Sequence, residues 1–242
     1  MANIFITGSA DGLGLMAAKL LISEGHEVVL HARNLERAKF AEHNAPGAKT
    51  VLTGDLSDLQ QTIDLAEEVN RLGNFDVVIH NAGVYQTSNE LIFAVNTVAP
   101  YVLTSLISKP KRLIYLSSGM HRQGRPKLEN LETGTNYSDS KLQVLMVCKA
   151  IARRWPDVYA NTIDPGWVPT KMGGNSAPDD LDKGVETQVW LTTSEDEHAR
   201  VSGRYFHHKK EDRYSPVSDD MAIQEELLAK LAEITGITFP SE

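Results

Sequence analysis

Short apolar runs alternate with helical patterns along the chain. The runs are continuous in apolar character, which is typical of strands that are covered on both faces. The segments between them place apolar residues three or four positions apart, as amphipathic helices do. Strands are predicted at residues 3–7, 28–31, 50–52, 75–80, 112–117, 158–164 and 203–206. Helices are predicted at residues 13–24, 35–43, 58–72, 91–108, 137–155, 182–193 and 219–235, with a bend expected at Pro100.

This alternation predicts one doubly wound α/β domain over residues 1–242. Strands separated by helices need crossover connections, which produce a mostly parallel sheet, here of about seven strands flanked by helices. No linker or shift in composition marks a place where a second domain would begin.

Composition narrows the function classes. The chain has 24 Lys and Arg against 32 Asp and Glu, a net charge of −8, and 41% apolar residues. This apolar content excludes disorder over most of the length, and the single Cys148 excludes a disulfide scaffold. The acidic balance argues against a nucleic-acid partner, because phosphate-backbone binding needs a concentrated basic face. With no apolar run near the roughly 18 residues of a membrane span and no signal peptide, we expect a cytoplasmic protein without a membrane partner.

A cluster of glycines follows the first predicted strand and opens the first predicted helix. Gly8, Gly12 and Gly14 stand in the segment from Thr7 to Gly14. A pyrophosphate at a helix N-terminus, where the dipole is positive, needs close approach to backbone N–H groups, and side chains would block that approach. A tight turn without a ligand is the alternative. The strand before the turn and the amphipathic helix after it favour nucleotide binding.

The spacing G-x-x-x-G-x-G resembles the cofactor turn of the short-chain dehydrogenase/reductase family. Further motifs occur in that family's order, namely Asn81-Ala82-Gly83, Ser117-Ser118, Tyr137-x-x-x-Lys141 and Pro165-Gly166. The resemblance extends from residue 3 to about residue 172 and is weaker beyond. It implies a Rossmann fold and an oxidoreductase that uses a nicotinamide cofactor on a small carbonyl or alcohol substrate. The interval of 19 residues from Ser118 to Tyr137 is similar to that of retinol-dehydrogenase-like and WW-domain-oxidoreductase-like members.

The end of the second predicted strand distinguishes the two nicotinamide cofactors. An acid there would hold both hydroxyls of the adenosine ribose and repel a 2′-phosphate, but the segment His31-Ala32-Arg33-Asn34 has no acid. The Arg33 guanidinium can form a charge-assisted pair with a phosphate. In the family, a basic residue at this place goes with NADP(H). The alternative is that Arg33 is an ordinary solvated arginine at the start of a helix. Because no acid is present and Arg33 can bind a phosphate, we predict NADP(H).

Tyr137 and Lys141 lie four residues apart and therefore on one face at the start of a predicted helix. When a hydride is transferred to a carbonyl, the oxygen gains negative charge and must be protonated, which a phenol can do. Free tyrosine has a pKa of about 10. We expect an adjacent ammonium, together with the positive nicotinamide of the oxidised complex, to lower this pKa. A pair of ordinary surface residues is the alternative interpretation of so short a motif.

The resemblance implies roles for further residues. Ser118 would orient the substrate carbonyl, and Ser117 is the alternative candidate for this role. Asn96 would hold a water that connects Lys141 to solvent, a role consistent with the mild cost of Asn inside a helix.

Beyond residue 170 the resemblance implies a lid over residues 171–200. Trp167 and Met172 are candidate substrate contacts, although simple packing explains them equally well. The residues with an implied cofactor-binding role are Gly8, Ser9, Asp11, Gly12, Leu13, Gly14, Arg33, Asn34, Asp55, Leu56, Asn81, Ala82, Gly83, Tyr137, Lys141, Pro165, Gly166, Val168 and Thr170.

Two other functions, and the formation of a homodimer, stay open. A redox sensor could keep the dinucleotide turn without catalysis, but such proteins typically lack the Tyr/Lys pair. A nucleotide-sugar epimerase or dehydratase generally needs a larger C-terminal region than the about 70 residues after Thr170. Helices 91–108 and 137–155 are apolar on more than one side, which suits a homodimer interface as well as sheet packing. No grouping of His, Cys and carboxylates has the spacing of a metal site.

Overall fold

The computed structural model describes residues 1–240, which form an eight-stranded sheet with helices on both faces. The strands are β1 (Asn3–Ile6), β2 (Glu27–Ala32), β3 (Thr50–Thr53), β4 (Val77–His80), β5 (Arg112–Leu116), β6 (Tyr159–Asp164), β7 (Tyr205–His207) and β8 (Lys210–Glu211). Their order across the sheet is β3-β2-β1-β4-β5-β6-β7-β8, and β7 and β8 form the antiparallel pair of an otherwise parallel sheet. The predicted doubly wound Rossmann fold is confirmed.

Helical crossovers cover the two faces of the sheet. The helices are α1 (Gly12–Ser23), α2 (Leu35–Asn44), α3 (Leu59–Arg71), α4 (Asn89–Phe93), α5 (Ala99–Leu106), α6 (Leu131–Gly134), α7 (Tyr137–Arg154), α8 (Leu181–Thr193) and α9 (Met221–Thr235). Helices α1, α2 and α8 pack on one face, and α3, α5, α7 and α9 pack on the other. Among residues 1–240, no helix is both long enough and apolar enough to span a membrane.

Strand side chains alternate between these two layers. In β1, Phe5 packs toward the layer of α7, whereas Ile4 and Ile6 pack toward the layer of α1, and all three are fully buried. The period of two along a strand produces this division. Because both faces are covered, the strand has no polar side, which is why its sequence is continuously apolar.

The sequence missed β8. This strand has two exposed, charged residues and pairs with β7 through a two-residue turn. His208 and Lys209 form the turn with φ values of 47° and 60°. Positive φ at both central positions is the geometry of tight hairpins, but it is usually marked by Asn and Gly rather than by His and Lys. The usual sequence signal of a hairpin is therefore absent.

The predicted helix 91–108 is irregular before Pro100 rather than at it. It is built from α4, a π-helical segment (Ala94–Val98) and α5. Pro100 has no N–H to donate to the carbonyl of Asn96, four residues earlier, so the regular α-helical ladder cannot continue through this turn. Single π-helical turns of this kind are frequent at functional sites, and Asn96 lies in the middle of this one.

The C-terminal segment packs on α5 and α7. These helices belong to the predicted segments 91–108 and 137–155, whose apolar surface suits a homodimer interface. Helix α9 packs along α7, and the Glu225 carboxylate of α9 pairs with Arg153 and Arg154 of α7 at 2.7 and 2.5 Å. Farther along, the Tyr101 hydroxyl of α5 donates to the carbonyl of Ile237 at 2.7 Å. Part of the apolar character of α5 and α7 is therefore explained by packing within the chain, and a homodimer stays a prediction.

The predicted lid region divides into two parts. Residues 171–180 form a loop after β6, whereas residues 181–193 form α8. Helix α8 contributes Leu191 to the core, and the Gln188 side chain donates to the carbonyl of Leu13 in α1 at 3.5 Å. The loop at 171–180 is thus the part of this region that lies outside the packed layers.

Candidate functional site

A cleft of about 640 Å³ opens at the carboxyl edge of the sheet, where β1 and β4 meet and the strand order reverses. Ligands of open α/β sheets bind at this switch point, because neighbouring crossovers leave it on opposite faces. Most of the predicted site residues line the cleft, namely Gly8, Asp11, Gly12, Leu13, Arg33, Asp55, Leu56, Asn81, Ala82, Gly83, Tyr137, Lys141, Pro165, Thr170 and Met172.

The three glycines of the turn have different roles. Gly8 has φ +62°, and a Cβ there would lie 2.8 Å from the Cα of Ala82. A Cβ at Gly14 would lie 2.7 Å from the carbonyl oxygen of Gly8, so both positions need glycine for packing. At Gly12, a Cβ would meet only the side chain of Thr170, at 3.8 Å. Gly12 therefore leaves open space at the N-terminus of α1, where a phosphate would bind.

Ser9 holds the turn against the sheet and is not on the cleft wall. Its hydroxyl donates to the carbonyl of Ile6 at 2.8 Å and accepts from the backbone N–H of His31 at 2.9 Å. The His31 ring accepts from the N–H of Gly8 at 3.0 Å and bonds to the carbonyl of Gly54 at 2.8 Å. Burial lowers the pKa of His31 to about 4. The sequence did not identify this neutral histidine as the support of the glycine turn.

A cluster of charges lies at the β2 end of the cleft. Arg33, which precedes α2, is exposed on the cleft wall, and Arg37 lines the same cleft from the first turn of α2. The Asp11 carboxylate pairs with the Arg37 guanidinium at 3.2 Å and with the Lys171 ammonium at 2.5 Å. Burial acts to raise the pKa of Asp11, but hydrogen bonds from Lys171 and from the Gly12 amide hold it below its usual value. Arg37 and Lys171 are not among the residues predicted from the sequence, because Arg33 precedes the cap of α2 and no motif spacing connects it to either cation.

The remaining predicted cofactor residues shape the loops around the cleft. Asn34 is exposed and caps α2, its side chain accepting from the N–H of Arg37 at 3.0 Å. Gly166 has φ +82°, and its N–H donates to the Asp164 carboxylate at 2.9 Å. Val168 is buried. Like Gly14 and Ser9, these residues do not line the cleft.

Tyr137 and Lys141 are brought together in the first two turns of α7. Asn136 and Asp139 form a reciprocal capping box that fixes where this helix begins. The Lys141 ammonium donates to the carbonyl of Leu116 at 2.8 Å and lies 5.4 Å from the centre of the Tyr137 ring. Both side chains reach the cleft, as the spacing of four predicts.

Burial shifts the pKa of both groups. It lowers the pKa of Lys141 to about 8, against the opposing charge of Asp164. It raises the pKa of Tyr137 to about 12, while a hydrogen bond with Ser118 acts to lower it. Desolvation outweighs the hydrogen bond, and the nearby Asp164 and Tyr85 reinforce it. At neutral pH the phenol therefore keeps its proton. The lower pKa expected beside an oxidised nicotinamide stays a prediction.

The two serines after β5 have separate tasks. Ser117 is buried, and its hydroxyl donates to the backbone carbonyl of Lys141 at 2.8 Å. Ser118 is half-buried; its hydroxyl accepts from the N–H of Met120 at 3.2 Å and interacts with the Tyr137 phenol. Ser117 lines the cleft and its hydroxyl is engaged in holding α7, whereas Ser118 is not on the cleft wall but lies beside the Tyr137 phenol. The role of Ser118 toward a substrate stays a prediction.

Asn96 clamps the loop after β4 beside Lys141. Its side chain accepts from the N–H of Val84 at 2.8 Å and donates to the carbonyl of Val84 at 3.0 Å and to the Ser140 hydroxyl at 3.1 Å. A Cβ at Gly83 would lie 3.4 Å from the Asn96 side-chain oxygen and 3.3 Å from the Lys141 ammonium. The Asn96 side chain does not line the cleft, and its observed effect is to hold the cleft wall in place.

Comparison with known proteins agrees with this geometry. A family model described as short chain dehydrogenase matches residues 2–181. The chain is 44% identical to an uncharacterized oxidoreductase, AN7799, of Emericella nidulans, over 99% of each chain. It is 26% identical to human retinol dehydrogenase 13, over 99% of this chain and 86% of that protein, which confirms the predicted retinol-dehydrogenase-like similarity. A structure of a Mycobacterium paratuberculosis protein has a TM-score of 0.84 and 23% identity, over 99% of this chain and 95% of the other. The chain therefore belongs to the short-chain dehydrogenase family, whose members are oxidoreductases that bind a nicotinamide cofactor.

Proposed function

We propose that this protein transfers a hydride between NADP(H) and a small carbonyl or alcohol substrate. The observation that carries the proposal is the single cleft that joins a cationic end at Arg33 to the Tyr137–Lys141 pair. The open space at Gly12 lies on the wall of the same cleft.

The residues on the cleft wall fit this dinucleotide in their chemistry. The Arg33 and Arg37 guanidiniums, with the Lys171 ammonium, would bind the adenosine 2′-phosphate, since guanidinium pairs well with phosphate. The N-terminus of α1 at Gly12 would bind the pyrophosphate. Lys141 would bind the nicotinamide ribose, and the segment from Pro165 to Thr170 would lie beside the nicotinamide. Asp55 would contact the adenosine; its carboxylate accepts from the Ser57 hydroxyl at 2.7 Å.

When bound, the cofactor supplies the hydride to the carbonyl carbon. The electron pair of the carbonyl π bond moves to oxygen, and Tyr137 donates its phenolic proton to that oxygen. Ser118 donates a hydrogen bond to the same oxygen, and Lys141 stabilises the phenolate that Tyr137 becomes. Solvent then returns a proton to the phenolate. A phenol whose pKa is raised to about 12 is protonated at neutral pH, which suits the reductive direction.

Two features disfavour the other functions. A redox sensor without catalysis does not need Tyr137 and Lys141 on the wall of one cleft, with the Ser118 hydroxyl beside the Tyr137 phenol. An epimerase or dehydratase of nucleotide sugars generally needs an added substrate region. Here the residues after 180 that the structure describes form α8, β7, β8 and α9, which complete the sheet and its two layers.

The test is NADPH oxidation with a panel of aldehydes, ketones and quinones, comparing the native protein with Tyr137→Phe. Loss of a general acid is expected to lower the rate on the order of 10²–10⁴-fold. Binding of NADPH, followed by its fluorescence, should persist in Tyr137→Phe, because Arg33, Arg37 and the N-terminus of α1 remain in place to hold the phosphates. Equal oxidation rates for the two proteins would refute the mechanism.

A further inference from the structure

Four large apolar side chains remain exposed near the Tyr137 end of the cleft. The exposed fractions are 39% for Tyr85, 38% for Met120, 56% for Trp167 and 44% for Met172. These residues belong to the segments that follow β4, β5 and β6, which are parallel neighbours. Because the carboxyl ends of parallel strands meet at one edge of a sheet, these segments lie at the edge where the cleft opens, and we call this edge the rim of the cleft. Met172 lines the cleft itself.

Tyr85 is in direct contact with the predicted acid. Its ring lies against the Tyr137 ring with centres 4.7 Å apart and an angle of 60° between the planes. The residue before it, Val84, is held at both its N–H and its carbonyl by the Asn96 side chain. The Tyr85 ring is therefore anchored beside the reacting group while more than a third of the residue stays available for a further contact.

The two methionines belong to the segments after β5 and β6. Met172 lines the cleft together with Tyr137, and Met120 is held next to Ser118 by its own N–H bond to the Ser118 hydroxyl. Thioether sulfur contacts the edges of aromatic rings favourably, and the flexible side chain adapts to their outline. Methionine at both positions thus suits a flat aromatic group that enters beside Ser118.

Trp167 is the most exposed of the four side chains. Its indole N–H donates to the carbonyl of Gly173 at 2.8 Å, and its backbone N–H donates to the Asp179 carboxylate at 2.6 Å. With these donors satisfied inside the loop, the exposed indole surface offers stacking rather than hydrogen bonds.

Two charged side chains, Arg122 and Asp179, belong to these segments. The Arg122 guanidinium pairs with Asp212 at 3.3 Å and donates to the carbonyl of Arg213 at 2.8 Å. The Asp179 carboxylate is engaged by the Trp167 N–H. A carboxylate on the substrate would have to displace Asp212 from Arg122, and an ammonium would face the Lys141 ammonium on the cleft wall, so the site favours an uncharged group.

We infer that the substrate is an uncharged aryl ketone or aryl aldehyde whose ring packs on Tyr85 between Met120 and Met172, with its carbonyl at Ser118 and Tyr137. This inference rests on the proposed function, because it assigns the substrate class of the same site.

The first experiment compares two ketones of equal carbon number, acetophenone and cyclohexyl methyl ketone, with NADPH. The ratio of their kcat/KM values is measured for the native protein, Tyr85→Phe and Tyr85→Leu. Any change that Tyr85→Leu causes at Tyr137 affects both ketones, so the ratio isolates the ring contact. Tyr85→Phe should keep the native ratio, and Tyr85→Leu should lower it by about two- to ten-fold, the range of one aromatic pair. A ratio that is the same in all three proteins would overturn the inference.

A binding experiment separates this inference from the proposed function. Fluorescent 2-acetylnaphthalene is titrated into the protein with NADP⁺, and its saturated analogue, 2-acetyldecalin, competes. The inference predicts that the aryl ketone binds more tightly to native protein and Tyr85→Phe than to Tyr85→Leu, by about two- to ten-fold. This result would support an aryl-binding position at Tyr85 even if no carbonyl were reduced. Absence of reduction would defeat the proposed function alone. Equal affinity for the two ketones would overturn the inference, whether or not either is reduced.

Discussion

Replacing Asp11 with Asn should strengthen the binding of NADPH more than that of NADH. Asp11 neutralises two cations on the cleft wall, Arg37 at 3.2 Å and Lys171 at 2.5 Å. Asn keeps the helix cap, in which the Asp11 side chain accepts from the Gly12 N–H at 2.8 Å, because Asn and Asp are equally good at the N-cap. The substitution therefore removes a charge without removing the turn.

The magnitude is limited by solvent. The side chains are 33% exposed for Asp11, 36% for Arg37 and 75% for Lys171, so each ion pair contributes at most about 1 kcal/mol. Releasing both cations toward a 2′-phosphate should gain roughly 1 kcal/mol, or about five-fold in the Kd of NADPH. Arg33→Ala should act in the opposite direction. Loss of one charge-assisted bond at an exposed position is worth about 1.5 kcal/mol, or roughly ten-fold weaker NADPH binding.

The assay measures the Kd values of NADPH and NADH by fluorescence titration for each variant, at low and at high salt. Salt should reduce both effects, because exposed charges are screened. Arg71→Ala is the matched control, since Arg71 pairs with Glu67 on α3 and does not line the cleft. The reasoning is wrong if Asp11→Asn changes the two affinities by the same factor, or if Arg33→Ala leaves the affinity for NADPH unchanged.

Three further predictions follow from the buried groups. The reduction rate should fall as the pH rises through about 8, because Lys141, whose pKa burial lowers to about 8, then loses the charge that stabilises the phenolate; a flat kcat/KM profile from pH 7 to 9.5 would contradict this. Burial lowers the pKa of His31 to about 4 and that of His80 to about 3, below the about 6.5 of an unfolded histidine. The unfolded state therefore binds more protons below pH 6.5, and the free energy of unfolding should decrease as the pH falls from 7 to 5; urea titrations that give equal values at both pH values would oppose it. Gly83→Ala should lower kcat by roughly ten-fold with little change in Tm, because its Cβ would press on the Lys141 ammonium at 3.3 Å and the Asn96 oxygen at 3.4 Å; unchanged kinetics would show that this contact relaxes freely.

The fold could be predicted because its signals are local. A parallel strand that is covered on both faces leaves a continuous apolar run, and β4 and β5, with every residue buried, show this most clearly. The glycine turn was found for the same reason. Its constraints at Gly8 and Gly14 are close backbone contacts that only glycine allows.

Features that depend on distant residues could not be predicted. The pairing of Asp11 with Lys171 joins the first turn of the chain to the loop after β6, and neither segment shows it alone. The high pKa of Tyr137 comes from burial, which motif spacing does not report. The contact between Tyr85 and Tyr137 likewise needs the packing of the loop after β4 against α7.

Deuteride transfer tests the central claim most directly. NADPH labelled with deuterium at C4, in each of its two stereochemical forms, is oxidised with a carbonyl that the panel identifies. We predict that one of the two forms delivers one deuterium to the carbinol carbon per NADPH oxidised, and that Tyr137→Phe slows this transfer on the order of 10²–10⁴-fold. Alcohol without label from either form, or labelled alcohol formed at the native rate by Tyr137→Phe, would contradict the account.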